Sequence, residues 1–163
     1  MIRFLFFKLF FLINMDQKTQ NDNLNKYIKQ LFEAPSWKKR AIAAQNIGQL
    51  REGRATNLLA RALKSEKDPV VINRIIEAMG EIRDPKATML IINFLKKELE
   101  KSEESQDKTR LFIIIESLMK IGDKRALEHL GILLDSCYND IKQLTEQAFE
   151  CIDPNWKKNI EKN

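Results

Sequence analysis

The sequence predicts a short all-α solenoid, a right-handed superhelix of antiparallel helix pairs, and three observations carry that expectation. The chain aligns on itself in three copies. Within each copy, apolar residues recur at the i, i+3, i+4, i+7 spacing of a helix with one buried stripe. Asp-Pro pairs stand where helices should begin. Composition agrees: of 163 residues, 44% are hydrophobic and 31% charged, with only 5 Gly and 4 Pro, a balance suited to long helices joined by short turns. One domain is expected at this length.

Residues 1–14, MIRFLFFKLFFLIN, form a dense apolar run. Lys8 interrupts it, and it falls short of the roughly 20 residues a membrane-spanning helix needs. A basic start and apolar centre suit a secretory signal, but Asn14, Met15, Asp16 and Gln17 offer no small-residue cleavage site. Three readings stay open: translation starting at Met15, a retained anchor lying on a membrane surface, or an atypical export signal. A membrane partner follows only if residues 1–14 are retained, and the location is otherwise expected to be cytoplasmic. Residues 15–23 are polar without periodicity and read as a loose linker.

The repeat domain is expected over residues 24–163. LNKYIKQLFEA sets Leu24, Ile28, Leu31 and Phe32 at helical spacing, a helix that would close the first repeat. The copies fall at about 37–67, 68–106 and 107–138, with a partial copy at 139–163 as a terminal cap, because a stack needs a hydrophilic end. At offsets of 32 and then 39 residues, Ala44, Ile76 and Ile115 coincide, as do Ile47, Met79 and Leu118, and Leu50, Ile82 and Ile121. The second halves match at Ala55, Ala87 and Ala126, at Leu59, Ile91 and Leu130, and at Leu63, Leu95 and Leu134. The partial copy, at an offset of 31, sets Ala148, Phe149 and Ile152 on Ser117, Leu118 and Ile121.

Asp68 before Pro69 and Asp84 before Pro85 place a capping carboxylate ahead of a proline at the first helical position, where the missing N–H costs nothing. Asp107 and Asp123 are the corresponding caps of the third copy, and Gly53 and Arg54 form the turn of the first. The seven additional residues before the third copy fall in the charged tract KKELEKSEESQD. A solvated connection is the favoured reading of that tract and a lengthened helix the other.

The pattern IIEAMGEIRDPKA from Ile75, with AAQNIGQLREGRA and IIESLMKIGDKRA in the other copies, resembles the HEAT-like repeat of the phycobilisome-lyase type over residues 37–152. Gly48 and Gly80 fit the small residue late in the first helix, where neighbouring helices approach closely. Met119 replaces it in the third copy, so packing there should be wider or shifted. The resemblance implies a fold more than an activity, since such repeats serve as scaffolds, adaptors, maturation factors and bilin-lyase subunits.

It also implies that second helices line a concave binding face. The alignment then names the outward positions as Asn57, Met89 and Glu128; Ala60, Ile92 and Gly131; Arg61, Asn93 and Ile132; and Lys64, Lys96 and Asp135. This face would run from basic at Arg61 and Lys64, through an apolar middle at Met89 and Ile92, to acidic at Glu128 and Asp135. Such a surface suits a helix or extended peptide of another protein. Met89, Ile92 and Ile132 also fit a packing role against neighbouring repeats.

No catalytic, cofactor-binding or metal-binding residues are expected. His129, the only histidine, takes the position of Leu58 and Leu90 and reads as a packing residue rather than a general base. Cys137 and Cys151 form no CxxC pair and read as small buried hydrophobes, with a disulfide open only for an exported chain. The row Gln45, Glu77, Glu116 and Gln147 reads as a polar helix face rather than paired catalytic acids. Net charge is +5, of which Arg3 and Lys8 supply two units, leaving +3 for residues 15–163. That bias is too weak to favour nucleic acid. A non-catalytic protein-binding scaffold is the leading expectation, with an accessory subunit of a modifying enzyme second and DNA binding third.

Overall fold

The structure, a computed structural model, describes the backbone over Ile2–Ile160 and the side chains of residues 18–158. All regular structure among the described residues is helical, with no strand. The chain begins with α1 (Ile2–Glu33), about 48 Å long at the rise of an α-helix. It runs unbroken through residues 15–23, which the sequence reading leaves as a loose linker. Those residues include no Gly or Pro to stop a helix already nucleated downstream. Leu24 and Leu31 of α1 are buried and Ile28 packs beside them, whereas Phe32 stays 40% exposed and is not core. The readings of residues 1–14 as start, anchor or signal rest on side chains outside the described residues. Among the described residues, no helix is long and apolar enough to cross a membrane.

Each copy is a helix, a tight turn and a second helical segment. The first pairs α2 (Trp37–Leu50) with α3 (Thr56–Ser65) through a 3-10 turn at Gly53–Ala55. The second pairs α4 (Pro69–Ile82) with α5 (Thr88–Leu99) through Pro85–Ala87. In the third, α6 (Lys108–Ile121) is followed by the short α7 (Arg125–Leu130). The partial copy consists of α8 (Asn139–Ile152) and α9 (Trp156–Ile160).

The aspartates cap as their spacing predicts. Asp68 accepts from the backbone N–H of Val70 at 2.9 Å and of Val71 at 3.3 Å, and Asp107 accepts from that of Arg110 at 3.1 Å. Asp84 and Asp123 accept at 3.0 Å from the N–H groups of Lys86 and Arg125. Asp123 also ties two repeats together, taking the Thr88 hydroxyl at 2.9 Å. Arg125 adds its guanidinium, so the Asp123 carboxyl is lowered to about 2.

The first helices stack side by side, α2 on α4, α4 on α6 and α6 on α8. Two glycines make that possible. A Cβ on Gly48 would stand 2.8 Å from the Ala78 Cα, and one on Gly80 would stand 2.7 Å from the Ser117 Cα. In the third copy the half-buried Met119 takes the position of these glycines. The core contains the matched apolar positions Ala44, Ile47, Ile76, Met79, Ile115, Leu118, Ala148 and Phe149, while Leu50 and Ile121 of the third row are half-buried and pack against it.

Two second-half segments depart from the simple repeat. α5 extends only to Leu99, about two residues past the register of α3, and the charged tract then continues as a connection with a 3-10 turn at Glu103–Ser105. In the third copy the helix stops at Leu130, and Gly131–Asp135 winds as 3-10. In a 3-10 helix, residues i and i+3 eclipse. Leu133 therefore falls under Leu130 and is 2% exposed, while Leu134, the residue matched to Leu63 and Leu95, is only half-buried.

Candidate functional site

The second-half segments α3 and α5 and the turn Gly131–Asp135 present most of the expected binding positions to solvent. Asn57, Arg61 and Lys64 of α3, Met89, Asn93 and Lys96 of α5, Glu128 of α7, and Ile132 and Asp135 beyond it are all exposed. Ile132 is 64% exposed, so it does not serve as packing. Ile92 is the exception. It is fully buried, and its row-mates Ala60 and Gly131 are half-buried, so that row belongs to the inner edge of the layer. The physical reason is position: α5 packs against α6 and α7, and its buried arc widens to take in both Ile91 and Ile92.

Close backbone approach occurs between the first helices, at Gly48 against Ala78 and at Gly80 against Ser117.

A groove of about 410 Å³ lies between α3 and α5. Its apolar wall is Ala60, Leu63, Ile72, Leu90 and Phe94, with Lys64, Asn93 and Lys97 at the rim. Sequence reasoning missed Phe94 and Lys97. Phe94 aligns with the buried Ala62, so its row reads as interior, and only the gap between α3 and α5 brings its ring to the surface of the groove. Lys97 lies 5.2 Å over that ring, and Arg61 lies 5.6 Å over Phe32.

Charge is distributed unequally between the two layers. On the first helices, Glu81 holds Lys120 at 2.9 Å and Arg51 at 3.2 Å, and Arg74 holds Glu77 at 2.6 Å. The Lys120 ammonium, with Arg51 behind it, keeps the Glu81 carboxyl below its usual range. On the second-helix face, none of Arg61, Lys64, Lys67, Lys96 and Lys97 has a described acid within ion-pair distance. The nearest carboxylate, Glu66, is already committed. It takes the Arg40 guanidinium at 2.7 and 3.1 Å and the N–H groups of Lys67 and Asp68, and these bonds hold it below the ordinary carboxylate range.

Glu98, at the same repeat position as Glu66, repeats the arrangement in the second copy. It is 1% exposed, accepts from the Asp107 N–H at 2.6 Å and Lys101 at 2.7 Å, and lies 3.5 Å from Arg110. The offset of 32 that relates Glu66 to Glu98 was visible in the alignment.

A family model for HEAT repeats matches residues 24–103, from the buried half of α1 to the connection after α5. The chain is a HEAT-repeat protein. Within the HEAT stack, the matched span holds α3, α5 and the groove between them. No curated protein matches the chain.

The remaining chemistry-bearing residues are scattered. His129 is half-buried in α7, beside the layer that Leu58 and Leu90 occupy in the other copies. Cys137 and Cys151 are both free and exposed, contrary to the buried role expected of them. Cys151 shares the polar row of Gln49, Glu81 and Lys120, and Cys137 lies in the turn before α8. Among the described residues, no group of three or more His, Cys, Asp and Glu side chains could hold a metal ion.

Proposed function

We propose that this HEAT-repeat protein is a non-catalytic scaffold that holds a partner protein on its second-helix face, through Asn57, Arg61, Lys64, Met89, Asn93 and Lys96, with Glu128, Ile132 and Asp135 at the far end. One observation carries the reading: the cations of this face have no described acid within ion-pair distance and stand beside an open apolar groove, while the charges of the first-helix face largely pair with one another. Exposed charge next to apolar surface is the composition of a protein-binding rim and centre. Exposed cations with no described acid beside them are available to a partner's carboxylates.

The test is affinity capture from native extract with the full chain, comparing wild type with the triple variant Arg61→Glu, Lys64→Glu, Lys96→Glu. All three residues are exposed, so circular dichroism and melting temperature should not change. The co-purifying protein should be lost from the triple variant and kept by Lys38→Glu, on α2 of the other layer. Capture that survives the triple reversal and fails with Lys38→Glu would move the site to the first helices.

A further inference from the structure

The groove between α3 and α5 has a chemistry narrower than protein binding in general. Its wall is apolar and includes an aromatic ring, with Leu90 and Phe94 half-buried on α5 and Ala60 and Leu63 opposite them on α3. Its rim carries Lys64 from one helix and Lys97 from the other. The one acid in the lining, Glu66, is neutralised by a two-point bond to Arg40 and is only 10% exposed. The groove is thus an apolar trough with one lysine from each helix at its rim and no described acid paired with either.

We infer that the α3–α5 groove receives an acidic amphipathic segment of the partner, its apolar side chains lying on Leu90 and Phe94 and its carboxylates meeting Lys64 and Lys97. The inference rests on the scaffold reading and adds the chemical class of what is held. Charge complementarity selects an acidic segment over a basic one. The apolar wall requires side chains that a purely acidic tract lacks. Glu128 and Asp135, exposed at the far end of the same face, repel carboxylates there and so confine the segment to the first two repeats.

The experiment uses the full chain and three labelled synthetic peptides, with binding read by fluorescence anisotropy. One peptide carries Leu and Phe on one helical face and Glu and Asp on the other. The second replaces its acids with Lys, and the third replaces its apolar residues with Ser. The first should bind, and should weaken as salt rises. The other two should bind at least about tenfold more weakly. Lys64→Glu with Lys97→Glu should weaken the first peptide by about tenfold or more with the melting temperature unchanged.

Equal binding of the Ser peptide, or full displacement of the amphipathic peptide by duplex DNA at equal charge, would overturn the inference by showing a site for negative charge alone. No binding of the acidic amphipathic peptide, with partner capture still abolished by the Arg61, Lys64 and Lys96 reversals, overturns the inference and leaves the scaffold reading standing. Loss of neither peptide nor captured partner on charge reversal removes both.

Discussion

Ile92 shows how a single position can be misplaced when the period is right. Its distance from Asn57 and Arg61 in the repeat register puts it at the edge of the buried arc, where one more packed neighbour decides its side. In α5 that neighbour is present, and Ile92 is fully buried beside Ile91 and Leu95. The substitution Ile92→Asp should therefore act on stability before it acts on binding. Removing a buried isoleucine and leaving an unpaired carboxylate in its place should cost on the order of 4–5 kcal/mol, a large part of the stability of a domain this size. The expected result is a thermal transition lowered far below that of wild type, or absent, in circular dichroism. A melting temperature unchanged from wild type would place Ile92 on the surface. Met89, three residues earlier and 40% exposed, is the contrasting case and is open to solvent as its register predicts.

Between helices, the decisive contacts involve the smallest residues. Gly80 sits where any Cβ would press on the backbone of Ser117, 2.7 Å from its Cα and 2.8 Å from its Cβ. The backbone of α6 cannot yield as a flexible side chain would. Gly80→Ala should therefore destabilise by about 1–3 kcal/mol, even though alanine favours a helix over glycine by about 1 kcal/mol. Chemical denaturation of the variant checks the sign. A gain in stability would mean that α4 and α6 lie farther apart than described. The recurrence of Gly48 and Gly80 announces this close approach in the sequence. The break of the third second-half helix was less legible. Gly131 weakens the helix, but only the packing of Leu133 under Leu130 selects the 3-10 winding over a continued α-helix.

Carboxylates tie the whole stack together, and their pKa values give the assembly a defined response to acid. Glu66, Glu81 and Asp123 are each held below their ordinary values, chiefly by Arg40, Lys120 and Arg125. A depressed folded-state value means that the unfolded chain binds more protons in acid, so stability rises with pH across that window. The contribution should be complete above about pH 5 and should be lost progressively as pH falls toward the Asp123 value of about 2. Melting temperatures measured across that range should decline steadily below about pH 5. Glu66→Gln should flatten the decline and lower stability at neutral pH by about 1–3 kcal/mol, because Arg40, 20% exposed, loses its charged partner. A melting temperature that stays flat into strong acid would show that these pairs contribute nothing to the stack.

The helix pairs, their starting points and nearly all of the first-helix core were legible from periodicity, because a buried stripe repeats with the helix and an Asp-Pro cap acts within one turn. Most of the exposed face was legible for the same reason. The side of Ile92, the place of Phe94 in the groove wall and the gap between α3 and α5 depend on contacts between repeats. Those contacts are set by how near two backbones can come and by which neighbour fills the remaining space. No spacing along one chain encodes that distance, so the groove between α3 and α5 emerged only when the helices were packed together.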